Sequence, residues 1–125
     1  MQIKKVVVIG SGTMGSGIAA HLCNANIPVT LLDLKTEISE QARERIHKSR
    51  PPLLLDKSKI NNIKVGNIKD NFDTVKDADW VVEAVVERID IKQNIYKKIF
   101  KERKKGAIVS SNTSSIPIKI LSENL

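Results

Sequence analysis

The sequence GSGTMG, residues 10–15, decides the fold because it joins a β-branched run at residues 3–9 to a segment with helical spacing. Its glycines follow the pattern G-x-G-x-x-G, which gains meaning between a strand and a helix. Gly10 permits a tight turn, Gly12 lets a ligand approach the backbone, and Gly15 lets the helix pack on the strand. Unpaired N–H groups and the helix dipole stabilise an anion at the helix start. The stretch therefore predicts a phosphate-binding turn.

Asp33 ends a second apolar run, PVTLLD at residues 28–33, 18 residues after Gly15. A carboxylate at this position can accept hydrogen bonds from an adenosine ribose and repels a 2′-phosphate. Lys35 is near, but no arginine follows at once. The purely structural alternative is a glycine-rich turn followed by an ordinary helix-capping aspartate. The agreement of loop, helix, spacing and carboxylate favours dinucleotide binding, with NAD favoured over NADP.

Apolar runs alternate with amphipathic segments along the rest of the chain. Strands are predicted at residues 3–9, 28–33, 63–66, 79–85 and 107–110, and helices at 13–25, 36–49, 89–105 and from Ile116 onward. This alternation is typical of βαβ units, and right-handed crossovers predict the strand order 3-2-1-4-5. We expect an α/β fold with a Rossmann-like, doubly wound parallel sheet. Because the sequence stops at Leu125, just inside a predicted helix, we expect this fold to be C-terminally truncated.

Helical spacing also predicts which faces are buried. The predicted inner faces are Met14, Ile18 and Leu22 in the first helix, Ile38, Ala42 and Ile46 in the second, and Ile91, Ile95 and Ile99 in the third. Gly106 is predicted to cap the third helix. Residues 53–62, which follow two prolines, are expected to be irregular. His21 is interpreted as a surface or partly buried residue, and Cys23 as a small core residue.

The composition excludes several classes of protein. Hydrophobic residues make up 41% and charged residues 28%, which is typical of a globular domain, and no apolar run approaches the roughly 20 residues of a membrane span. The single cysteine precludes an internal disulfide and favours a reducing, cytoplasmic location, and because Met1 lies close to the first apolar run we expect no leader. The net charge is +7, but aromatic residues are only 3% and residues 70–91 are acidic, which disfavours a nucleic-acid binder.

Two polar groups follow the fourth and fifth predicted strands. The first contains Glu83, Glu87 and Lys92, and the second is SNTSS at residues 111–115. Ligands in such folds lie beyond the carboxyl ends of the strands, so both groups are expected to border the nicotinamide half of a cofactor. Helix-entry charges and a helix-capping serine are equally good interpretations on spacing alone.

Several segments together resemble the NAD-binding domain of the 3-hydroxyacyl-CoA dehydrogenases. They are GSGTMGSGIA (10–19), LLD ending at Asp33, DWVVEAVVERIDIKQ (79–93) and SNTSS (111–115), and they cover nearly the whole chain. PPLLLD (51–56) and VVERIDIKQ (85–93) resemble the long multidomain members that also carry an enoyl-CoA hydratase domain. Residues 1–125 are then expected to be the N-terminal part of the NAD-binding domain, without the family's helical C-terminal domain.

The resemblance implies a function and a set of site residues. The reaction would be oxidation of (S)-3-hydroxyacyl-CoA to 3-oxoacyl-CoA by NAD in fatty-acid β-oxidation. Ser114 would hydrogen-bond the substrate's 3-oxygen, Asn112 would help to hold its loop, and no metal is implied. The candidate cofactor-binding residues are Gly10, Gly12, Thr13, Met14, Gly15, Asp33, Glu87 and Lys92. Candidates for the CoA phosphates in the basic stretch 43–64 are Arg43, Lys48, Arg50 and Lys57.

The family's general base is a histidine paired with a glutamate, and both follow the SNTS loop. The two histidines of this sequence, His21 and His47, precede that loop. We therefore expect this chain alone to bind NAD and to turn over 3-hydroxyacyl-CoA negligibly. The alternatives are a non-catalytic NAD-binding module or the remnant of a fragmented gene. The fifth strand is expected to leave an open sheet edge that favours self-association.

Overall fold

The computed structural model describes residues 3–49, 54–84 and 89–111, and these residues form one five-stranded parallel sheet with helices on both faces. The strands are β1 (Val6–Ile9), β2 (Val29–Asp33), β3 (Ile63–Asn67), β4 (Trp80–Glu83) and β5 (Ile108–Ser111). The helices are α1 (Thr13–Asn24), α2 (Thr36–Lys48) and α3 (Ile89–Glu102), with 3-10 helices at Lys57–Asn62 and Phe72–Asp77. The strand order is β3-β2-β1-β4-β5. The predicted fold class and strand order are confirmed.

The centre of the sheet is β1, which pairs with β2 on one side and with β4 on the other. All four of its side chains are buried, and Val8 lies in register with Leu31 and Val82. Burial of each such side chain contributes about 1.5–3 kcal/mol, so this short strand is the main anchor of the core. Its alternating side chains join two hydrophobic clusters, one packed under α1 and α2 and the other under α3 and the second 3-10 helix.

The predicted inner face of α1 is wrong at its first position, because Met14 is 60% exposed. The buried residues of the helix are mostly small: Gly15, Ser16, Ala19, Ala20, Leu22 and Cys23. Gly15 brings the helix so close to β1 that small side chains fill the space beneath it. The interpretation of Cys23 as a core residue is confirmed, and burial raises the pKa of its thiol above the ordinary value.

The predicted face of α2 is also shifted at its start. Ile38 is 37% exposed, whereas Ala42 and Ile46 are buried as predicted. Ser39 takes the inner position instead, and its hydroxyl donates to the carbonyl oxygen of Gly66 at 2.8 Å. A hydrogen-bonded serine therefore replaces the apolar contact that the spacing predicts.

Two of the three predicted inner residues of the third helix, Ile95 and Ile99, are buried, and the side chain of Ile91 is outside what the structure describes. The helix ends earlier than expected. Gly106 is not its cap, because three residues lie between it and Glu102, the last residue of the helix. Gly106 has a φ of +88° and lies in a turn closed by a bond from the Ala107 N–H to the Lys104 carbonyl at 3.2 Å. A glycine is needed there because the third position of such a turn requires positive φ.

The segment between α2 and β3 is more regular than predicted. Residues Lys57–Asn62 form a 3-10 helix whose N-cap, Asp56, accepts a hydrogen bond from the Ser58 N–H at 2.9 Å. Leu54 is buried, but Leu55 is 84% exposed. The fourth strand ends earlier than predicted, because Ala84 lies beyond the end of β4. Val85 and the helix predicted from Ile116 lie outside the described residues.

Candidate functional site

The loop between β1 and α1 is held by two of its three glycines. Gly10 has a φ of +105° and donates its N–H to the Leu32 carbonyl at 2.7 Å. A Cβ atom at Gly15 would lie 1.8 Å from the carbonyl oxygen of Gly10. The tight turn and the close packing of helix on strand thus account for these two glycines, as predicted.

Gly12 differs from both of its neighbouring glycines. Its φ of −68° is open to any residue, and a Cβ atom built on it meets nothing within 4 Å. Gly12 is the N-cap of α1, where no side chain caps the helix and no acidic residue lies in the first turn. The N–H groups of that turn therefore face an open space next to a residue without a side chain. Such a space suits an anion such as a phosphate.

Asp33, at the end of β2, lies directly against this loop. Its Oδ2 accepts hydrogen bonds from the backbone N–H and the hydroxyl of Ser11 at 2.8 and 2.6 Å. Its Oδ1 accepts the Leu34 N–H at 2.7 Å. Ser11 is buried, whereas Asp33 is partly exposed. The structure thus brings together the glycine loop and the carboxylate that the sequence analysis paired.

Two further side chains hold the loop from behind, and sequence reasoning missed their role. The Ser11 carbonyl accepts a hydrogen bond from the Ser16 hydroxyl at 2.9 Å and one from Arg45 Nη2 at 3.2 Å. Ser16 belongs to α1 and is buried, while Arg45 reaches across from α2. Ser16, directly after the last glycine of the pattern, was a usable signal for such a network. Nothing in the spacing pointed to Arg45, since its contact spans 34 residues.

Large apolar side chains are exposed beside the loop and the carboxylate. Met14, in the first turn of α1, is 60% exposed, and Leu34, which follows Asp33, is 70% exposed. Exposed apolar groups next to convergent polar groups are typical of a ligand surface. Met14 is therefore available to a ligand at this site, and Thr13 beside it is exposed as well.

The structure describes only some of the other predicted site residues. Glu87, Asn112 and Ser114 lie outside the described residues, and Lys92 is in α3 with a side chain that is likewise not described. Glu83 is fully buried at the end of β4, in register with Ile9 and Ser111. The carboxyl ends of β1, β4 and β5 thus lie side by side.

The candidates for a CoA phosphate site have varied surroundings. Arg43 donates Nε and Nη2 to the carbonyls of Ile63 and Ile60 at 3.0 and 3.1 Å, which ties α2 to the first 3-10 helix and β3. Lys48 forms an exposed ion pair with Glu44 at 3.3 Å. Lys57 is exposed, and Arg50 lies outside the described residues.

At the amino ends of the strands, opposite the glycine loop, Asp79 forms a second cluster of hydrogen bonds. Its Oδ2 accepts the N–H groups of Lys4 and Lys5 at 2.8 and 3.0 Å, and its Oδ1 lies 2.5 Å from Lys104 Nζ. The bond from Lys104, followed by the backbone N–H groups, lowers the pKa of Asp79 from 3.8 to about 2. This carboxylate is only 15% exposed and joins the start of β1 to the chain between α3 and β5.

The described part of the chain contains neither a cluster of metal-ligating side chains nor a helix that could span a membrane. Within residues 3–49, 54–84 and 89–111, no group of three His, Cys, Asp or Glu side chains could hold a metal ion. Among the helices of the same ranges, none has the length and apolar character that crossing a membrane requires.

The parallel sheet, the glycine turn and the paired carboxylate define a dinucleotide-binding domain of the Rossmann type. The family described as "3-hydroxyacyl-CoA dehydrogenase, NAD binding domain" matches residues 5–125. The chain therefore belongs to the NAD-binding domain family of the 3-hydroxyacyl-CoA dehydrogenases.

Relatives and solved structures agree with this membership. A putative fatty acid oxidation complex trifunctional enzyme of Rickettsia felis is 44% identical over 131 residues, which is 99% of this chain and 18% of that protein. A probable 3-hydroxyacyl-CoA dehydrogenase of Deinococcus radiodurans is 43% identical over 96% of this chain and 37% of its own length. The chain thus spans well under half of either relative.

Crystal structures of related enzymes have the same fold. The 3-hydroxybutyryl-CoA dehydrogenase of Escherichia coli matches with a TM-score of 0.85 and 26% identity, over 100% of this chain and 28% of that one. The (S)-3-hydroxybutyryl-CoA dehydrogenase PaaH1 of Ralstonia eutropha matches with a TM-score of 0.80 and 30% identity, over 98% of this chain and 45% of that one.

Proposed function

We propose that residues 1–125 form the N-terminal part of an NAD-binding domain and that the coenzyme lies across the loop at residues 10–15. Its pyrophosphate would bind beside Gly12, and its adenosine ribose would bind at Asp33. The whole protein would oxidise (S)-3-hydroxyacyl-CoA to 3-oxoacyl-CoA in fatty-acid β-oxidation. The names of the relatives, among them a probable 3-hydroxyacyl-CoA dehydrogenase and a fatty acid oxidation enzyme, support this activity.

The observation that carries the proposal is the open space at Gly12. Neither its backbone conformation nor the packing of the protein requires a glycine there. A ligand that approaches the backbone closely does require one, because a side chain would occupy the same space. The first-turn N–H groups of α1 then act as donors to the negatively charged pyrophosphate.

The proposed role of Asp33 is to recognise the adenosine ribose. Its carboxylate is partly exposed at the end of β2, and within the described ranges it has no ion pair. A ribose hydroxyl can donate to it, whereas a 2′-phosphate would be repelled by its charge. This supports NAD over NADP as the preferred coenzyme.

The nicotinamide half of the site is proposed from the resemblance of residues 79–93 and 111–115. Glu87 and Lys92 would contact the nicotinamide ribose, Ser114 would donate to or accept from the substrate's 3-oxygen, and Asn112 would hold the loop. The adjacent ends of β1, β4 and β5 support a common site for these groups. When bound, NAD supplies a hydride acceptor, and the residues of the chain orient the carbon that gives up its hydride.

The 125-residue chain alone is proposed to bind NAD without converting substrate. His21 is an exposed residue of α1, and both histidines precede the loop that would hold the 3-oxygen. Without a general base at the hydroxyl, the reaction loses about 10²–10⁴-fold in rate. Clear formation of NADH from 3-hydroxybutyryl-CoA by this chain would contradict the proposal.

The test is a titration of this chain with NADH and NADPH, followed by fluorescence. We expect the wild type to prefer NADH, and we expect Asp33→Ala to weaken NADH binding and to narrow the preference over NADPH. Asp73→Ala, which changes an exposed acid on the second 3-10 helix, is the matched control and should leave both affinities unchanged. Equal binding of NADH and NADPH by the wild type would refute the role of Asp33.

Self-association is proposed from the sheet edge. In the described sheet β5 is an edge strand, and its Ile108 side chain is 45% exposed. Unpaired strand edges of this kind promote pairing between chains. Light scattering over a range of concentrations tests this, and a constant monomer mass would contradict it.

A cytoplasmic location is proposed from the single cysteine. Cys23 is a free, buried thiol, which is compatible with a reducing compartment. Cell fractionation tests this location, and recovery of the protein outside the cytoplasm would overturn it.

A further inference from the structure

The geometry points to Ser11 as a positioning residue whose buried hydroxyl fixes the Asp33 carboxylate, so that only Oδ1 remains open to the adenosine ribose. The inference deepens the proposed function and rests on it. It concerns the specificity of the site for the ribose hydroxyl, which the glycine pattern alone does not set.

Both donors of Ser11 converge on a single carboxylate oxygen. The Ser11 N–H lies 2.8 Å and its Oγ lies 2.6 Å from Asp33 Oδ2. An ionised carboxylate oxygen offers about two acceptor positions, so Ser11 fills both positions on Oδ2. The other oxygen, Oδ1, accepts the Leu34 N–H at 2.7 Å and keeps one position open.

Ser11 acts through Asp33 and does not contact the ligand itself. It is only 1% exposed, so its hydroxyl lies behind the carboxylate. Its peptide is held in turn by Ser16, whose hydroxyl donates to the Ser11 carbonyl at 2.9 Å. The chain of contacts therefore runs from α1 through Ser11 to the exposed side of Asp33.

The hydroxyl of Ser11 adds something that the backbone N–H alone does not provide. Any residue at position 11 would keep one bond to Oδ2, and the carboxyl group could then turn about its last side-chain bond, which has a broad torsional preference. Alanine or glycine would also leave one acceptor position on Oδ2 unfilled. With serine, the carboxylate is already oriented before the coenzyme arrives, which lowers the cost of ordering it on binding.

The experiment is a double-mutant cycle measured with two ligands. NADH and its analogue with a 2′-deoxyadenosine group are titrated against the wild type, Ser11→Ala, Asp33→Ala and the double variant. We expect Ser11→Ala to weaken NADH about three- to tenfold, as loss of one hydrogen bond predicts, and the deoxy analogue less than about twofold. In the Asp33→Ala background, Ser11→Ala should have no further effect on either ligand.

Control variants separate positioning from general stability. Ser39→Ala removes another buried serine hydroxyl, one that bonds only backbone carbonyls, and should leave the ratio of the two affinities unchanged. If Ser11→Ala does not fold, Ser11→Gly removes the same hydroxyl in a loop already rich in glycine and gives the same readout.

The outcomes distinguish the inference from the proposed function. Equal weakening of both ligands by Ser11→Ala, or an undiminished effect in the Asp33→Ala background, overturns the inference while NADH binding and the role of Asp33 stand. Failure of the folded wild type to bind NADH overturns both the proposed function and the inference.

Discussion

An aspartate lies at each end of the parallel strands and accepts backbone N–H groups from residues that flank β1, yet the two carboxylates have different neighbours. Asp79, at the amino ends of the strands, accepts from Lys4 and Lys5 and is neutralised by Lys104. Asp33, at the carboxyl ends, accepts from Ser11 and Leu34 and has no ion pair within the described ranges.

The difference separates a structural carboxylate from one available for recognition. The charge of Asp79 is compensated inside the protein, and its bonds join three distant parts of the chain. Asp33 keeps an acceptor position next to an open helix N-terminus, where a ligand can use it. The same pattern of hydrogen bonds therefore stabilises the fold at the amino ends of the strands, and at their carboxyl ends it orients the carboxylate that we propose for the coenzyme.

The largest expected effect on stability is at Gly15, at the carboxyl end of β1, where close packing of α1 on the strand stabilises the fold. In Gly15→Ala the new methyl group would lie 1.8 Å from the Gly10 carbonyl, so α1 must move away from β1. We expect a loss of at least about 1–3 kcal/mol in the free energy of unfolding, measured by urea titration. Gly17→Ala, whose Cβ meets nothing, is the control and should be neutral or gain up to about 1 kcal/mol. Equal stability of the two variants would contradict the close packing of α1.

A smaller effect on stability is expected on acidification, from Asp79 at the amino ends of the strands. The pKa of Asp79 is about 2 in the folded chain and 3.8 ordinarily, so the unfolded chain binds more protons between these values. The stabilisation is fully present above pH 3.8 and is lost as the pH falls toward 2. Thermal unfolding at a series of pH values should show a steeper acid decline in the wild type than in Asp79→Asn. Parallel curves would show that this carboxylate does not stabilise the fold.

The smallest effect is expected from Lys104, which lies 2.5 Å from Asp79 and is 44% exposed. Lys104→Met should raise the pKa of Asp79 toward its ordinary value of 3.8, so the acid decline in stability should become shallower than in the wild type. The shift should shrink at high salt because exposed ion pairs are screened. The neighbouring variant Lys105→Met is the control and should leave the curve unchanged. NADH affinity should be unaffected in both lysine variants, since the proposed coenzyme site lies at the carboxyl ends of the strands.

The course of the sheet was predictable because its signals are local and strong. A β-branched run before a glycine turn predicts a buried strand, and the handedness of the crossovers then restricts the strand order. The pairing of the loop with Asp33 was predictable for the same reason, since each is set by its place at a strand end.

The contacts that hold the site were not predictable from spacing. The bonds of Asp79 to Lys4 and of Arg45 to Ser11 join residues 75 and 34 positions apart, and no periodicity reports such pairs. The buried face of α1 was misjudged because its small residues contribute little hydrophobicity, although close packing on the sheet requires them. The start of β5 was misplaced by one residue because Gly106 serves a turn after the helix rather than the helix itself.

The central claim is that the open space at Gly12 receives the coenzyme's pyrophosphate, and a calorimetric titration of Gly12→Val with NADH tests it most directly. A Cβ atom at position 12 meets nothing within 4 Å, so the free energy of unfolding should fall by no more than about 1 kcal/mol, the usual cost of an apolar residue at a helix N-cap. We predict that this variant folds and shows no measurable NADH binding, while the control Gly17→Ala binds like the wild type. Unchanged NADH affinity in folded Gly12→Val would contradict the account.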